Sequence, residues 1–214
     1  MSNTSSASPT LGELPRGCLQ SIDIGVNSRF ANSEYWDAME LKPQDMLVLL
    51  KAAAHPGRRW TYAALAEALS MSVSEVHASV KRSTAAGLAV VHGRGDWAPV
   101  VPALLEFAVH GVRYVWSAAA GPVKRGVATS FGVEPLASRL AAAAGEAPVW
   151  PHPAGSAKGP GLAPIYRTAP EAALADPALH RLLALVDALR TGRARERALA
   201  TDLLKHELEI AHAA

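Results

Sequence analysis

The sequence predicts a mainly α-helical protein with one short β-hairpin near its middle. Three observations carry that expectation. Apolar residues recur at i, i+3 and i+4 in several separate segments. Two strand-like runs flank Gly93-Arg94-Gly95-Asp96, a tight-turn signal. Half of the 214 residues are apolar and 19 % are charged, which is enough to close a core and too little charge for an extended polyelectrolyte.

The elements follow in order. Residues 1–40 begin Ser/Thr/Asn/Pro-rich and hold no sustained period, so they read as a flexible arm, with Ile22, Ile24, Val26, Tyr35 and Trp36 as local docking points. From Pro43 to His55, Met46, Leu47, Leu49, Leu50, Ala53 and Ala54 fall on a helical stripe, and Pro43 suits a first turn. Pro56-Gly57 stops that helix. Thr61 is the N-cap of a second helix, Tyr62 to Leu69. Ser72-Val73-Ser74-Glu75 has the Ser-x-x-Glu form of a capping box and opens a third, residues 73–86, which Gly87 ends in a left-handed turn. The hairpin occupies 88–101. Pro102 introduces an apolar helix through Val112, residues 121–135 read as loop, and Leu136 to Ala144 as a short Ala-rich helix. Five prolines and four glycines make 145–164 an irregular connection. Pro177 to Arg190 and Ala194 to Ile210 are helical, so 102–214 is expected to be a helical C-terminal region.

Charge separates these parts. Residues 1–41 carry two cations against five carboxylates, residues 42–100 seven against four, and residues 101–214 twelve against ten. The basic surplus of the middle segment matters only if it lies on one face. On a helical wheel, Val73, Val76, Val80 and Gly87 gather on one side of the third helix. Ser74, His77, Ala78, Lys81 and Ala85 fall opposite, with Arg82 at the edge. Such a face is small, hydroxyl-bearing and cationic, which suits a major groove about 12 Å wide.

Three short helices followed by a hairpin within about sixty residues is the order of a winged helix-turn-helix. The segment TYAALAEALSMSVSEVHASVKRSTAAGLAVVHGRGDW resembles the helix–turn–helix–wing of MarR-like bacterial transcription regulators. The resemblance covers 42–101 and assigns 41–101 to a DNA-binding domain. It departs from the family at Ser70, in a turn where glycine is common, and at Ser83, where a leucine usually closes the core. It implies double-stranded DNA as partner and a recognition helix contributing Ser72, Ser74, His77, Lys81 and Arg82. Arg58 and Arg59 would meet phosphate beside Thr61 and Tyr62, and Arg94 would carry the wing to the minor groove. A dimeric repressor is the expected function. The alternative is an antitoxin-like or adaptor subunit that docks a protein through the same module. Each residue also has a plainer reading: Lys81 and Arg82 as solvated cations, His77 as a surface histidine, Arg94 as a solubilising tip.

The C-terminal half then supplies dimerisation, partner binding or sensing. Leu179, Leu182, Leu183, Val186 and Leu189 form either a homodimer interface or an internal core. Arg190, Arg193, Arg195 and Arg197 either meet phosphate or an acidic partner, or form a solvated helix face. Trp150, His152 and Tyr166 either line a pocket or cover the core.

Several classes are disfavoured. Cys18 is the sole cysteine, so no internal disulfide or multi-cysteine zinc site exists. No uncharged apolar run approaches the ~18 residues of a membrane span, and no secretory leader is visible, so a cytoplasmic, soluble protein is expected. The eight histidines lack metal-binding spacing. There is no Gly-x-Ser-x-Gly elbow or phosphate-binding Gly-Lys-Ser/Thr loop, and Gly155 to Gly159 is expected to lack both a strand before it and a helix after it. No enzyme activity, metal or cofactor is expected.

Overall fold

The computed structural model describes residues 40–93, 95–140 and 146–213. Residues 1–39 with Cys18, residue Arg94, residues 141–145, onto which the Ala-rich helix is expected to run, and Ala214 lie outside the described residues.

Helix α1 (Pro43–Ala53) is buried without interruption from Asp45 to Ala53. A helix apolar on nearly every side belongs in the middle of a fold, and α1 touches α3 (Val73–Ala85), β2 (Asp96–Pro99) and α8 (Pro177–Thr191). Thr61 caps α2 (Tyr62–Ala68) by accepting the Ala64 N–H at 3.1 Å. The turn into α3 is closed by Ser70 at φ +51°, a left-handed residue where glycine is at ease and serine is not. Gly87, at φ +74°, ends α3 in a Schellman motif: Leu88 N–H donates to Ser83 O and Gly87 N–H to Thr84 O. The chain then turns into the antiparallel pair β1 (Ala89–Gly93) and β2, registered Val90↔Ala98 and Val91↔Trp97. The order and bounds of these elements agree with the sequence reading to within a residue or two.

The C-terminal half differs from expectation. After α4 (Val101–His110) and α5 (Val112–Val115), the segment expected as loop is strand β3 (Ala120–Ala128). The Pro/Gly-rich connection contains β4 (Val149–Pro151) and β5 (Ala157–Leu162). β3 runs antiparallel to both, and β4 meets β5 in parallel at Val149↔Gly161, so the three strands close on themselves. The C-terminal region is therefore not purely helical. Closure this tight needs backbone against backbone. A Cβ on Gly126 would enter the Trp150 carbonyl, and one on Gly159 the Ala147 carbonyl. The glycines that suggested an irregular stretch are what let these strands meet. A short helix α6 (Leu136–Leu140) lies between β3 and β4, and α7 (Ala169–Ala175), α8 and α9 (Ala194–Ala213) follow β5. Among the described residues nine helices hold about 55 % of the residues, so helix dominates a mixed fold. None is long and apolar enough to cross a membrane.

Three buried carboxylates fasten the parts together. Asp45 joins α1 to α3 through Ser79 and Arg82. Asp187 on α8 accepts from Thr129 (2.8 Å), the Trp150 indole (2.6 Å) and Arg190 (2.6 Å), which ties the strand trio to that helix. Burial pushes the Asp187 carboxyl up, while the Arg190 guanidinium and the hydroxyl and indole donors pull it down. Asp176, the N-cap of α8, accepts the Ala178 and Leu179 amides, Lys51 Nζ at 2.7 Å and His55 Nε2 at 2.6 Å. Leu179, Leu182, Leu183, Val186 and Leu189 are all buried within the single chain. That stripe is internal core, the second of the two readings its periodicity left open.

Ser70→Gly should raise unfolding free energy by about 1 kcal/mol by relieving the left-handed serine, read as a higher urea midpoint. The Asp176 carboxyl is held down to about 2; burial opposes this but is outweighed by donation from His55, Lys51 and the Leu179 amide. Because the folded value is depressed, its contribution is complete above the ordinary carboxylate range and is lost as pH falls toward about 2. Asp176→Asn should lower stability at pH 7 and flatten that acid limb in pH-dependent melting.

Candidate nucleic-acid interface

The start of α3 is fixed by a reciprocal cap. Ser72 Oγ accepts the Glu75 N–H at 3.2 Å and Glu75 Oε2 accepts the Ser72 N–H at 2.8 Å. Ser74 Oγ lies 3.1 Å from Ser72 Oγ. Glu75 also accepts the Tyr166 hydroxyl at 2.9 Å and faces the Arg167 guanidinium at 3.6 Å. The Ser72 amide and hydroxyl first, then the Tyr166 phenol, hold the Glu75 carboxyl down at about 2. The one carboxylate of α3 thus remains charged but is answered from the other half of the chain.

Beyond the cap, Ser74, His77, Lys81 and Ala85 are exposed along one face of α3, with Ala78 half-buried beside them. Lys81 has no carboxylate partner among the described residues. The His77 ring meets Tyr62 edge-on, 5.2 Å between centroids. A groove of about 390 Å³ runs between α2, α3 and β1, lined by Tyr62, His77, Val80, Lys81, Thr84, Ala85 and Val91. Its walls hold a cation and an imidazole and no acid. Ahead of α2, Arg58 stacks on the Trp60 ring, 3.8 Å from guanidinium carbon to centroid. The Arg59 side chain is 88 % exposed, with Asp96 at 3.9 Å. Thr61 is exposed and its hydroxyl oxygen is engaged in capping α2. The structure brings Tyr62, His77 and Lys81 to one groove, with Thr61 at the start of α2 and Ser72 and Ser74 at the start of α3; Arg58 on Trp60 and Arg59 beside Asp96 are not among the residues lining it, and Arg94 is outside the described residues.

Arg82 is placed differently from the sequence expectation. It is 8 % exposed and gives two hydrogen bonds to Asp45, one from Nε at 2.8 Å and one from an NH2 group at 2.5 Å. It is a core cation, and the wheel missed this because its partner comes from another helix. Val73, expected inside, is half exposed. Ser83, where a leucine would close a core, is buried with its hydroxyl unanswered. Trp150 is fully buried with its indole N–H on Asp187, so it belongs to the core. Arg190 is likewise buried on Asp187 and the Trp116 carbonyl, which removes it from the solvated basic run. His152 is half-buried, its ring accepting the Ala154 amide at 3.3 Å.

Sequence reasoning passed over Arg167 altogether and gave Tyr166 no role at α3. Tyr166 and Glu75 are 91 residues apart, and no local pattern announces their meeting. Chemically, the surface presents the exposed Lys81 ammonium with hydroxyl and imidazole groups at an open groove, a set suited to a polyanion. No family model, curated protein or solved structure matches this chain.

Arg82→Ala would leave the buried Asp45 carboxylate without its cation, with only Ser79 and the Lys42 amide donating to it. We expect a loss of about 3–5 kcal/mol in unfolding free energy, measured by urea titration, far more than any change at exposed Lys81.

Proposed function

We propose that this chain is a sequence-specific double-stranded DNA-binding transcription regulator, a dimeric repressor built on a winged helix-turn-helix at residues 41–101. The observation that carries the reading is the face of α3 bearing Ser74, His77, Lys81 and Ala85, which no other described part of the chain covers. Its small residues permit close approach to base edges, and among the described residues no carboxylate claims the Lys81 charge. Arg58 and Arg59 meet flanking phosphates, and the hairpin with Arg94 lies along the neighbouring minor groove. Arg82 has no part in the contact, since Asp45 holds it inside. A bound dimer represses by covering promoter DNA. Its subunits join through a surface other than the buried α8 stripe.

The test is duplex binding across a salt series. Arg59→Ala with Lys81→Ala should weaken binding and reduce the log–log salt slope by about one unit per phosphate contact removed. Exposed Arg195→Ala, on α9, should leave the slope unchanged. Equal slopes in wild type and the double variant overturn the assignment.

A second reading is favoured by Val91, which lines the same groove and is 47 % exposed, and by exposed Val73 and Val90 on the neighbouring elements. Apolar residues there suit a protein partner. An adaptor of that kind would not be retained on duplex DNA at about 100 mM salt, where a phosphate-contacting module still is.

A further inference from the structure

A groove of about 310 Å³ lies where the α4–α5 corner meets α9. His110, Arg113 and Tyr114 come from the corner, Leu189 of α8 lines it from the core side, and Arg197 and Thr201 come from α9. No carboxylate is among the residues lining it.

Its two guanidiniums are unusual for this protein. Among the described residues, six Lys or Arg side chains are buried or half-buried: Lys51, Arg82, Arg113, Arg181, Arg190 and Arg197. Four meet a carboxylate, namely Asp176, Asp45, Glu207 and Asp187 for Lys51, Arg82, Arg181 and Arg190. The two that do not are Arg113 and Arg197, and both line this groove. Arg113 has no hydrogen-bond acceptor among the described residues and lies 5.1 Å from the Tyr114 ring centroid. Arg197 gives one N–H to the Gly192 carbonyl at 2.6 Å and keeps its other donors. The Thr201 hydroxyl is spent on the Arg197 carbonyl. Partial burial weakens solvation of both cations, so an external anion gains what the protein's own carboxylates supply elsewhere.

We propose that this groove binds a small phosphate monoester, its phosphate between Arg113 and Arg197 and its organic group against Tyr114. Two monocations from separate elements match a dianion, and a phosphate offers enough oxygens for both guanidinium forks. A carboxylate satisfies one fork and leaves the other unmet. Tyr114, 76 % exposed, supplies a flat surface for a ring. This site does not depend on the DNA reading, because its residues lie outside 41–101.

Phenyl phosphate is the probe, titrated calorimetrically into the full chain at fixed ionic strength, with phenol and benzoate beside it. Phenyl phosphate should bind and raise the melting temperature, and phenol and benzoate should do neither. Arg113→Ala should weaken phenyl phosphate at least about tenfold, the scale of a lost charge-assisted contact, while the free protein melts as before. Arg197→Lys, which keeps a donor near Gly192, serves as the second variant and should weaken binding too. Undiminished binding in both variants overturns the proposal, as does benzoate binding as well as phenyl phosphate, or no heat from phenyl phosphate. If Arg113→Ala weakens duplex DNA as strongly as phenyl phosphate, the groove serves nucleic-acid phosphates and the small-ligand assignment fails. Failure of the DNA reading alone would leave the calorimetric result standing.

Discussion

Helix α1 is buried along nine consecutive residues, and a helix in that position cannot leave a charge unanswered. It carries two. Asp45 is met by Ser79 and Arg82 of α3, and Lys51 by Asp176 at the cap of α8. The helix next to the hairpin and the long central helix of the C-terminal half are thus registered against the same rod from different directions. Movement of either relative to α1 would strand a carboxylate or an ammonium in a poorly solvated place, which is a steep penalty against sliding.

That arrangement shapes the exposed surface as well. Drawing Arg82 inward removes a cation from the edge of α3 and leaves Lys81 as the free positive charge at its centre. Glu75, the acid at the start of the same helix, is answered by Tyr166 and Arg167. The outward character of α3 is therefore set by partners at both ends of the sequence, one beneath it and one beside its first turn.

Much of this was legible beforehand. Thr61, the Ser72–Glu75 box and Gly87 announced their caps because a cap is a local event, decided within four residues. The stripe on α8 and the outward set Ser74, His77, Lys81 and Ala85 followed from periodicity. Three things did not follow. The wheel assigns a direction to Arg82 but cannot see Asp45, 37 residues away. Strands β3 to β5 carry glycine and proline in place of the usual alternation, since a sheet closed over three strands is limited by backbone clearance more than by side-chain packing. The meeting of Tyr166 with Glu75 and the convergence of Arg113 with Arg197 are tertiary events with no local trace.

The closed strand trio carries an evolutionary implication. At Gly126 and Gly159 the neighbouring main chain occupies the volume where any side chain would begin, so mutation there is not a matter of degree. Related sequences that keep this trio are free to drift across the outer faces of their helices, yet they should hold these two sites fixed.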